Sequence, residues 1–530
     1  MTCVKRCVLL PFLLLIINNN VATAQLVSRG YLPQASLQRV GLKAVWTKQI
    51  ASTSAYGTIS DVLQFVSADK NYTVHEIEYA GRLILISERD VDSDGKLLGK
   101  DRAARVAKQQ MISLQEAGHE PTHLTRVVPE ITFYLTSTDG LVHALDAETG
   151  RRLWSTSVVK KGFPVLRPAA NEETLAVIGG SSLLLLKRES GQVFWKQRLT
   201  SVPAAGPAIS RKMVFTIASN GLVEAFRLED LDKAPWGFQS MGRGTARPRI
   251  SASTISWSTD YGHLYVGDAM RGGVKYRLEA NGNIHTTPAF VGRRGIVTTT
   301  EAGLVYGLDR LTGNIRWRTA TGFESRTSPI AVKGGIYVVG YPNGISRLDA
   351  KTGEKQWRVG GITKFVAAGS QRVFCLDNQQ RFVALDPETG KIVGVVPASG
   401  IEVAMTNTHT DRIVLGTKKG LVQFIREAQT PLPVVYVPLV STKKEEDSAE
   451  LRPSDQDRDN ASADENTATD ETAEKDSPFD FDEDNSEDPF GDEDNQSSDE
   501  EDPFGGAGDD SVDAEDPFGG AADDEEDPFG

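Results

Sequence analysis

Hydrophobic and polar residues alternate in short runs over much of the chain, from about residue 130 to about residue 430. The runs come in pairs joined by small turns, as in ITFYLTSTDGLVHALD, GIVTTTEAGLVYGLD and RIVLGTKKGLVQFI. A period of two predicts β-strands with one buried face, and Gly, Asn and Asp between the runs predict hairpin turns. The chain is therefore predicted to be mainly antiparallel β-sheet.

A ten-residue phrase follows several of these hairpins. It occurs as LDAETGRRLW (145–154), LDRLTGNIRW (308–317), LDAKTGEKQW (348–357) and LDPETGKIVG (385–394), with a divergent copy LKRESGQVFW at 186–195. Asp and Thr side chains bond to the backbone of tight turns, and Gly adopts a positive φ. The Trp can wedge between neighbouring units. We therefore predict a structural turn between the third and fourth strands of a repeat, rather than a repeated ligand site.

The spacing of the tryptophans gives the length of the repeat. Trp154, Trp195 and Trp236 are 41 residues apart, Trp317 follows 81 residues later, and Trp357 follows after 40 more. Four strands in about forty residues describe a blade of a β-propeller. The predicted fold class is an all-β propeller of eight blades, with seven as the alternative.

The two ends of the repeat array complement each other. The last unit, residues 401–427, has three strands and no Trp ending, whereas LKAVWTKQI near the N-terminus resembles a lone outer strand with Trp46 in the matching place. We predict that this strand closes the last blade. The predicted domains are a signal peptide (1–24), a lead (25–43), the propeller (44–438) with an inserted loop and helix (90–120), and a tail (439–530).

The repeated phrases resemble PQQ-like propeller repeats, as found in quinoprotein dehydrogenases and in BamB-like barrel-assembly factors of bacterial outer membranes. The resemblance implies a bacterial protein with this fold, but it does not carry function, because the repeat marks blade architecture. The quinoprotein family holds PQQ under a disulfide between adjacent cysteines. This sequence has no Cys-Cys pair, so PQQ is not expected.

The stretch DVDSDGKLLGKD (90–101) matches an EF-hand-type calcium loop in part. Alternating carboxylates can direct several oxygens at one Ca²⁺. The predicted ligands of a structural Ca²⁺ are Asp90, Asp92, Asp94, Asp101 and the backbone carbonyl of Lys96. Position 12 is Asp rather than the usual Glu, and position 9 is Leu98, which offers no side-chain ligand. A solvated acidic turn is the alternative.

The segment after this loop, DRAARVAKQQMISLQEAG, predicts an amphipathic helix whose apolar face packs on the propeller. Its predicted apolar face comprises Ala104, Ala107, Met111 and Leu114. His119 and His123 in GHEPTH are four residues apart and could share a metal on a helix. Pro121 lies between them, so we predict an ordinary polar loop.

The N-terminus predicts export. Lys5 and Arg6 precede a short apolar run, and small residues end at Ala24, as in a secretory signal peptide. The run is too short for a transmembrane helix, and no later segment predicts one. The expected location is the periplasm, the cell envelope or the extracellular space. Cys375 is then the one cysteine after the signal peptide, and its apolar run RVFCLD predicts burial.

Charge divides the chain. Residues 445–530 carry 36 acidic and 3 basic residues, a balance of −33, whereas residues 1–444 have a balance of +19. The tail is too polar to fold and is predicted to be disordered. It repeats EDPFG at 487–491, 501–505, 515–519 and 526–530. These copies are either weak multivalent binding motifs or a solubilising repeat.

The basic part of the chain, residues 1–444, could bind an anionic envelope polymer. Two basic loops, RGTARPRI (243–250) and GRRG (292–295), are interpreted as a solvated rim, with an anionic ligand on that rim as the alternative. Nucleic acid is not an expected partner of an exported protein. The leading hypothesis is a non-enzymatic scaffold of the bacterial cell envelope with protein partners. A PQQ-dependent dehydrogenase and a calcium-dependent adhesion or matrix protein are the alternatives.

Overall fold

The computed structural model of the protein describes residues 30–50, 57–160, 163, 165–342 and 344–437. The predicted signal peptide and the predicted disordered tail lie outside these residues. Within them, two helices and thirty-three strands are present, and the strands pair into eight sheets. Neither helix has the length and hydrophobicity that a membrane span requires.

The first half of the chain opens with a short helix and the strand that closes the ring, and then forms four sheets, which we call blades 1 to 4. The helix α1 (Gln34–Arg39) precedes β1 (Leu42–Gln49). Blade 1 contains β2 (Ile59–Tyr79), β3 (Arg82–Ser87), β4 (Thr122–Ser137), β5 (Leu141–Asp146) and β6 (Arg152–Ser157), with helix α2 (Gly99–Glu116) between β3 and β4; blade 2 contains β7 (Ala169–Ala170), β8 (Thr174–Gly179), β9 (Ser182–Lys187) and β10 (Val193–Arg198); blade 3 contains β11 (Ala208–Ile209), β12 (Met213–Ile217), β13 (Leu222–Arg227) and β14 (Trp236–Gln239); and blade 4 contains β15 (Arg249–Ser251), β16 (Thr254–Ser258), β17 (His263–Asp268) and β18 (Val274–Glu279).

The second half forms blades 5 to 8 in the same antiparallel order. Blade 5 contains β19 (Ala289–Val291), β20 (Gly295–Thr299), β21 (Leu304–Asp309) and β22 (Ile315–Ala320); blade 6 contains β23 (Ile330–Val332), β24 (Gly335–Gly340), β25 (Gly344–Asp349) and β26 (Lys355–Gly360); blade 7 contains β27 (Ile362–Ala368), β28 (Val373–Asp377), β29 (Arg381–Leu385) and β30 (Ile392–Pro397); and blade 8 contains β31 (Val403–Ala404), β32 (Ile413–Gly416) and β33 (Leu421–Glu427), completed by β1.

Blade 8 is closed by the N-terminal strand, as predicted. Leu42 pairs with Glu427 and Gln49 pairs with Leu421, so β1 is the outer strand of this blade. Hydrophobic clusters lie between successive blades all the way round the ring, including one between blades 8 and 1. The all-β propeller prediction is confirmed.

The repeated phrase joins neighbouring blades. It forms the turn between the third and fourth strands, and its Asp side chain accepts backbone hydrogen bonds, as Asp386 does from Thr389 at 2.8 Å. A Cβ placed on Gly191 of blade 2 would lie 2.4 Å from the Trp154 ring of blade 1. The Trp154 Nε1 donates to the Arg188 carbonyl at 2.8 Å. The Trp of one blade therefore stacks on the turn glycine of the next.

The same contact recurs where the sequence lacks a Trp. Tyr276 occupies this position in blade 4, and a Cβ on Gly313 of blade 5 would lie 2.8 Å from its ring. The Tyr276 hydroxyl donates to the Arg310 carbonyl at 2.8 Å. That carbonyl follows the turn aspartate, as does the Pro387 carbonyl that accepts from Trp357 Nε1 at 2.7 Å. An aromatic ring with a polar tip is thus what this position requires.

Blade 1 extends beyond the propeller. Strands β2 and β4 continue past the blade, and residues Val74–Glu78 of β2 pair with β3 on one side and β4 on the other. The sequence GRLILISE forms β3 in this extension rather than a strand of the regular four-stranded blade. Helix α2 packs on one face of the extension through Ala103, Ala107 and Leu114. The predicted apolar residue Ala104 is exposed, because Ala103 rather than Ala104 lies on the buried face with Ala107 and Leu114.

Candidate functional site

Five charged side chains lie near one another on or beside the first strands of the blades around the central axis, and we call them the lumen cluster. The first strands of neighbouring blades contact each other, as β7 does β11 and β11 does β15, so these strands line the axis. The lumen cluster lies on or just before first strands of blades 1, 2, 4 and 7, and comprises Asp61, Arg167, Arg247, Arg249 and Lys364.

Neighbouring blades contact one another near the axis at one repeat position, which precedes a proline in each of blades 2 to 6. This position is occupied by Arg167, Gly206, Arg247, Thr287 and Ser328. A Cβ on Gly206 would lie 2.1 Å from the Arg167 carbonyl oxygen, and the Thr287 backbone N–H donates to Ser328 Oγ at 3.0 Å. Neighbouring blades therefore touch at this level, and two of the five positions carry an arginine.

Charge in the lumen cluster is unbalanced. Arg167 Nε lies 3.6 Å from Asp61 Oδ1, which is the one carboxylate of the five residues. Burial, followed by the charges of Arg167 and Arg249, lowers the pKa of Arg247 to about 9. Burial, followed by the charge of Arg167, lowers the pKa of Arg249 to about 10. Both guanidinium groups remain charged at neutral pH.

His409 of blade 8 lies within reach of the same charges. Burial, followed by the charges of Arg249, Arg167 and Arg247, lowers the pKa of His409 to about 3. Arg249 belongs to blade 4, opposite blade 8 in the ring. This coupling supports the view that these side chains share the axial space. His409 is neutral at neutral pH.

The acidic loop at 90–101 is organised by Asp92. The Asp92 Oδ1 accepts backbone N–H groups of Asp94 at 3.0 Å and Lys96 at 2.9 Å, and its Oδ2 accepts from Arg102 at 2.5 Å. The Lys96 carbonyl, a predicted ligand, accepts the Asp92 N–H at 2.8 Å. Among the residues that the structure describes, no group of three or more His, Cys, Asp or Glu side chains is arranged to hold a metal.

Two other predicted ligands, Asp90 and Asp101, are placed by other parts of the structure. Asp90 Oδ2 accepts the Ser87 N–H at 2.8 Å, and Asp101 lies in the first turn of α2. Calcium binding by Asp90, Asp92, Asp94, Lys96 and Asp101 therefore stays a prediction.

His119 and His123 are separated rather than paired. His119 packs on Tyr79, with ring centroids 5.3 Å apart. His123 lies in strand β4, so the loop predicted for GHEPTH ends before it. Its Nε2 lies 3.1 Å from Nδ1 of His75 on β2, and the two rings stack. Sequence spacing could not indicate this pair, because His75 and His123 are 48 residues apart.

Cys375 is buried, as predicted. Its side chain lies in the cluster between blades 6 and 7, and burial raises the pKa of its thiol well above the usual range. It is the one cysteine between residues 25 and 530. The residues therefore do not fit the adjacent-cysteine site that the quinoprotein resemblance implies, and no chemistry is assigned to PQQ.

The lumen cluster was not predicted from the sequence. Arg247 and Arg249 lie in the basic stretch interpreted as a rim, whereas the structure places them at the axis. Arg167 and Lys364 carry no local pattern that would single them out. Only the repeat position before the inner-strand proline could have indicated Arg167, since it aligns that residue with Arg247.

These features define a PQQ-like β-propeller with a basic lumen. The family model described as outer membrane protein assembly factor BamB matches residues 138–282 and 230–414, which together make up more than half of the chain. The chain therefore belongs to this family. The extension of blade 1 lies almost entirely before the matched residues.

Curated relatives agree with this assignment at low identity. BamB of Yersinia pestis is 22% identical over 281 residues, which are 51% of this chain and 65% of that protein. BamB of Escherichia coli (strain K12) is 25% identical over 284 residues, 52% and 66% of the two chains. The match thus spans less than two thirds of either relative. Polyvinylalcohol dehydrogenase of a Sphingopyxis species is 25% identical over 36% of this chain and 37% of that protein.

Among solved structures, BamB from Moraxella catarrhalis aligns with a TM-score of 0.47 and 18% identity. The alignment covers 56% of this chain and 91% of that structure.

Proposed function

We propose that this protein is a non-enzymatic scaffold of the bacterial cell envelope that binds protein partners through the surface of its propeller and through the DPFG motifs of its tail. Membership of the BamB family supports this role, since relatives in the family carry the name of an assembly factor. The same relatives support a place in the periplasm and a contribution to outer-membrane protein assembly.

The extension of blade 1 is the observation that carries the proposal. Residues Thr122–Val127 of β4 pair with β2 along one edge, and in the described part of the chain no strand pairs with their other edge. Leu124 and Val127 on this segment are 54% and 68% exposed. A free strand edge with exposed apolar side chains can accept an extended segment of a partner protein by strand addition.

Leu124→Glu tests this surface. The substitution places a charge in the proposed contact, so we expect at least fivefold less partner to be captured from envelope extract. Leu311→Glu is the matched control, because Leu311 is also 54% exposed but lies in the turn between the third and fourth strands of blade 5. Equal capture by both variants would remove the strand edge from the proposal.

The tail is tested separately, since it lies outside the described residues. Four EDPFG copies on a charged tether would gain binding strength through effective concentration, although each copy is weak alone. A version of the mature chain that ends at Lys444 should capture the partners of the propeller but lose those of the tail. Identical partner sets from both forms would leave the tail without a binding role.

The distant likeness to polyvinylalcohol dehydrogenase supports a second candidate, a quinoprotein enzyme. Purified protein mixed with PQQ and Ca²⁺ distinguishes the two proposals. A scaffold should show neither the absorbance of bound quinone nor reduction of an electron-accepting dye. Dye reduction that depends on PQQ would favour the enzyme.

A further inference from the structure

Among the described residues, three of the four basic side chains of the lumen cluster have donors without a hydrogen-bond partner; the exception is Arg247, whose Nε donates to the Pro207 carbonyl at 2.8 Å. In the part of the chain that the structure describes, neither the Arg249 nor the Lys364 side chain donates a hydrogen bond or forms a close ion pair. The Arg167 Nε is buried and also makes no hydrogen bond, with Asp61 at ion-pair distance only. A buried donor such as the Arg167 Nε ordinarily has an acceptor.

These side chains are nevertheless open to solvent. Arg249 and Lys364 are exposed, and Arg167 and Arg247 are half-buried, although all four belong to first strands or the residues before them. Charges near the axis of a ring of blades are exposed to the central channel or to one of its two openings. The cluster therefore faces the axial channel.

The electrostatics of this channel favour an anion. Four positive side chains and one carboxylate lie around a channel with protein walls, which screen charge less than bulk water does. Guanidinium groups bind carboxylate and phosphate oxygens through paired N–H donors, and an ammonium group adds a point charge. A bound oxyanion would satisfy the free donors and offset the mutual repulsion of the cations.

We propose that the lumen of the propeller is a binding site for a phosphate or carboxylate group, held by Arg167, Arg247, Arg249 and Lys364. Asp61 opposes the anion and keeps Arg167 oriented. The group can belong to a free small anion or to the end of an anionic polymer, since both present the same oxygens. The site is independent of the strand edge proposed for protein partners.

The test measures binding of inorganic phosphate, citrate and long-chain polyphosphate to the full mature chain by calorimetry, at matched ionic strength. The double variant Arg249→Gln and Lys364→Gln should bind at least tenfold more weakly than the wild type. The control is Arg151→Gln with Arg152→Gln, which removes two charges from exposed positions at the start of the outer strand of blade 1. The control should bind as the wild type does.

The melting temperature is a second measurement, and it does not require the double variant to bind an anion. Removing two of the crowded cations should leave the melting temperature of the double variant equal to or above that of the wild type. Phosphate should raise the melting temperature of the wild type and of the control more than that of the double variant, because a ligand stabilises only the state that binds it.

The outcomes of the binding test distinguish a free small anion from an anionic polymer as the source of the bound group. Binding of phosphate or citrate that the double variant loses supports the site and assigns it to a free anion. Binding of polyphosphate alone, again lost in the double variant, supports the site and assigns it to a polymer. Equal binding by the double variant and the control, or no binding of any of the three anions, would overturn the proposal.

Discussion

Gly191 shows at the level of one residue why the repeated phrase has its composition. Its φ is +71°, a conformation that costs other residues, and a Cβ added to it would lie 2.4 Å from the Trp154 ring of the preceding blade. The need for a positive φ and the need for space beside the Trp154 ring can be examined separately. Gly81 has the same φ of +71°, but a Cβ added there would have no atom within 4 Å.

Gly191→Ala and Gly81→Ala should therefore differ in stability. Both variants take on the cost of a left-handed backbone, about 1–2 kcal/mol. Gly191→Ala adds a collision with Trp154, which we expect to cost about 1–3 kcal/mol more. Urea unfolding followed by fluorescence would measure the difference. Equal losses would mean that the ring moves aside freely and that the glycine is selected by the turn alone.

Sequence predicted much at this scale, but not the contact partners. The Asp, Thr and Gly of the phrase indicated a turn, because their side chains and conformations act locally. The pairing of Trp154 with Gly191 joins different blades and required the ring. Tyr276 was missed as a member of the series, since its fit depends on a hydroxyl that reaches the Arg310 carbonyl and not on a shared residue type.

At the scale of elements, the extension of blade 1 departs most from prediction. Its helix was predicted from the local pattern, but the placement of the helix depends on pairing between β2 and β4, which are far apart in sequence. Arg89, which lies just after β3 of the extension, pairs with Asp146 at 2.6 Å, so the extension is attached to the repeated phrase of its own blade. Local patterns do not indicate such a contact.

The histidine pair predicts how this extension responds to pH. Burial, then the charge of His123, lowers the pKa of His75, whereas Glu88 opposes the shift. A histidine whose pKa is lower in the folded state binds fewer protons there than in the unfolded state, so folding stability falls as pH decreases below about 6.5. His75→Phe should lose less stability than the wild type between pH 7.5 and pH 5.

Hydrogen exchange of peptides from Val74–Tyr79 is the appropriate measurement, because it reports on the extension itself. The His143→Phe variant is the control, since burial also lowers the pKa of His143, but that residue lies in the regular part of blade 1. If wild type and His75→Phe lose protection in these peptides equally, the histidine pair has no role in the response.

At the scale of the whole molecule, the ring is closed by contacts between its two ends. Trp46 on β1 stacks on Phe424 with ring centroids 5.4 Å apart, and its Nε1 donates to the Ala147 carbonyl of blade 1 at 2.8 Å. The fully buried Arg412 of blade 8 reinforces this junction, because it binds Glu148 at 3.1 Å and Asp411 at 3.2 Å.

Replacement of tryptophan should therefore be more damaging at Trp46 of the closure than at Trp195 of blade 2. Trp46→Ala removes a buried ring and its hydrogen bond, which we expect to cost about 3–5 kcal/mol. Trp195→Ala should cost roughly half as much, because that ring is half-buried and, among the described residues, its indole makes no hydrogen bond. Thermal and urea unfolding would compare them. Equal losses would show that the closure is no more critical than an internal blade contact.

The closing strand pair also has a mechanical consequence. Leu42 at the start of β1 is opposite Glu427 at the end of β33, so the two chain ends leave the pair on the same side. A force that pulls the ends apart, once the lead and the final segment have detached, would break the hydrogen bonds of this pair one after another, as in a zipper, rather than all at once. Blade 8 would then open under a smaller force than a strand pair that is pulled along its length. It would therefore be the first part of the ring to open under tension.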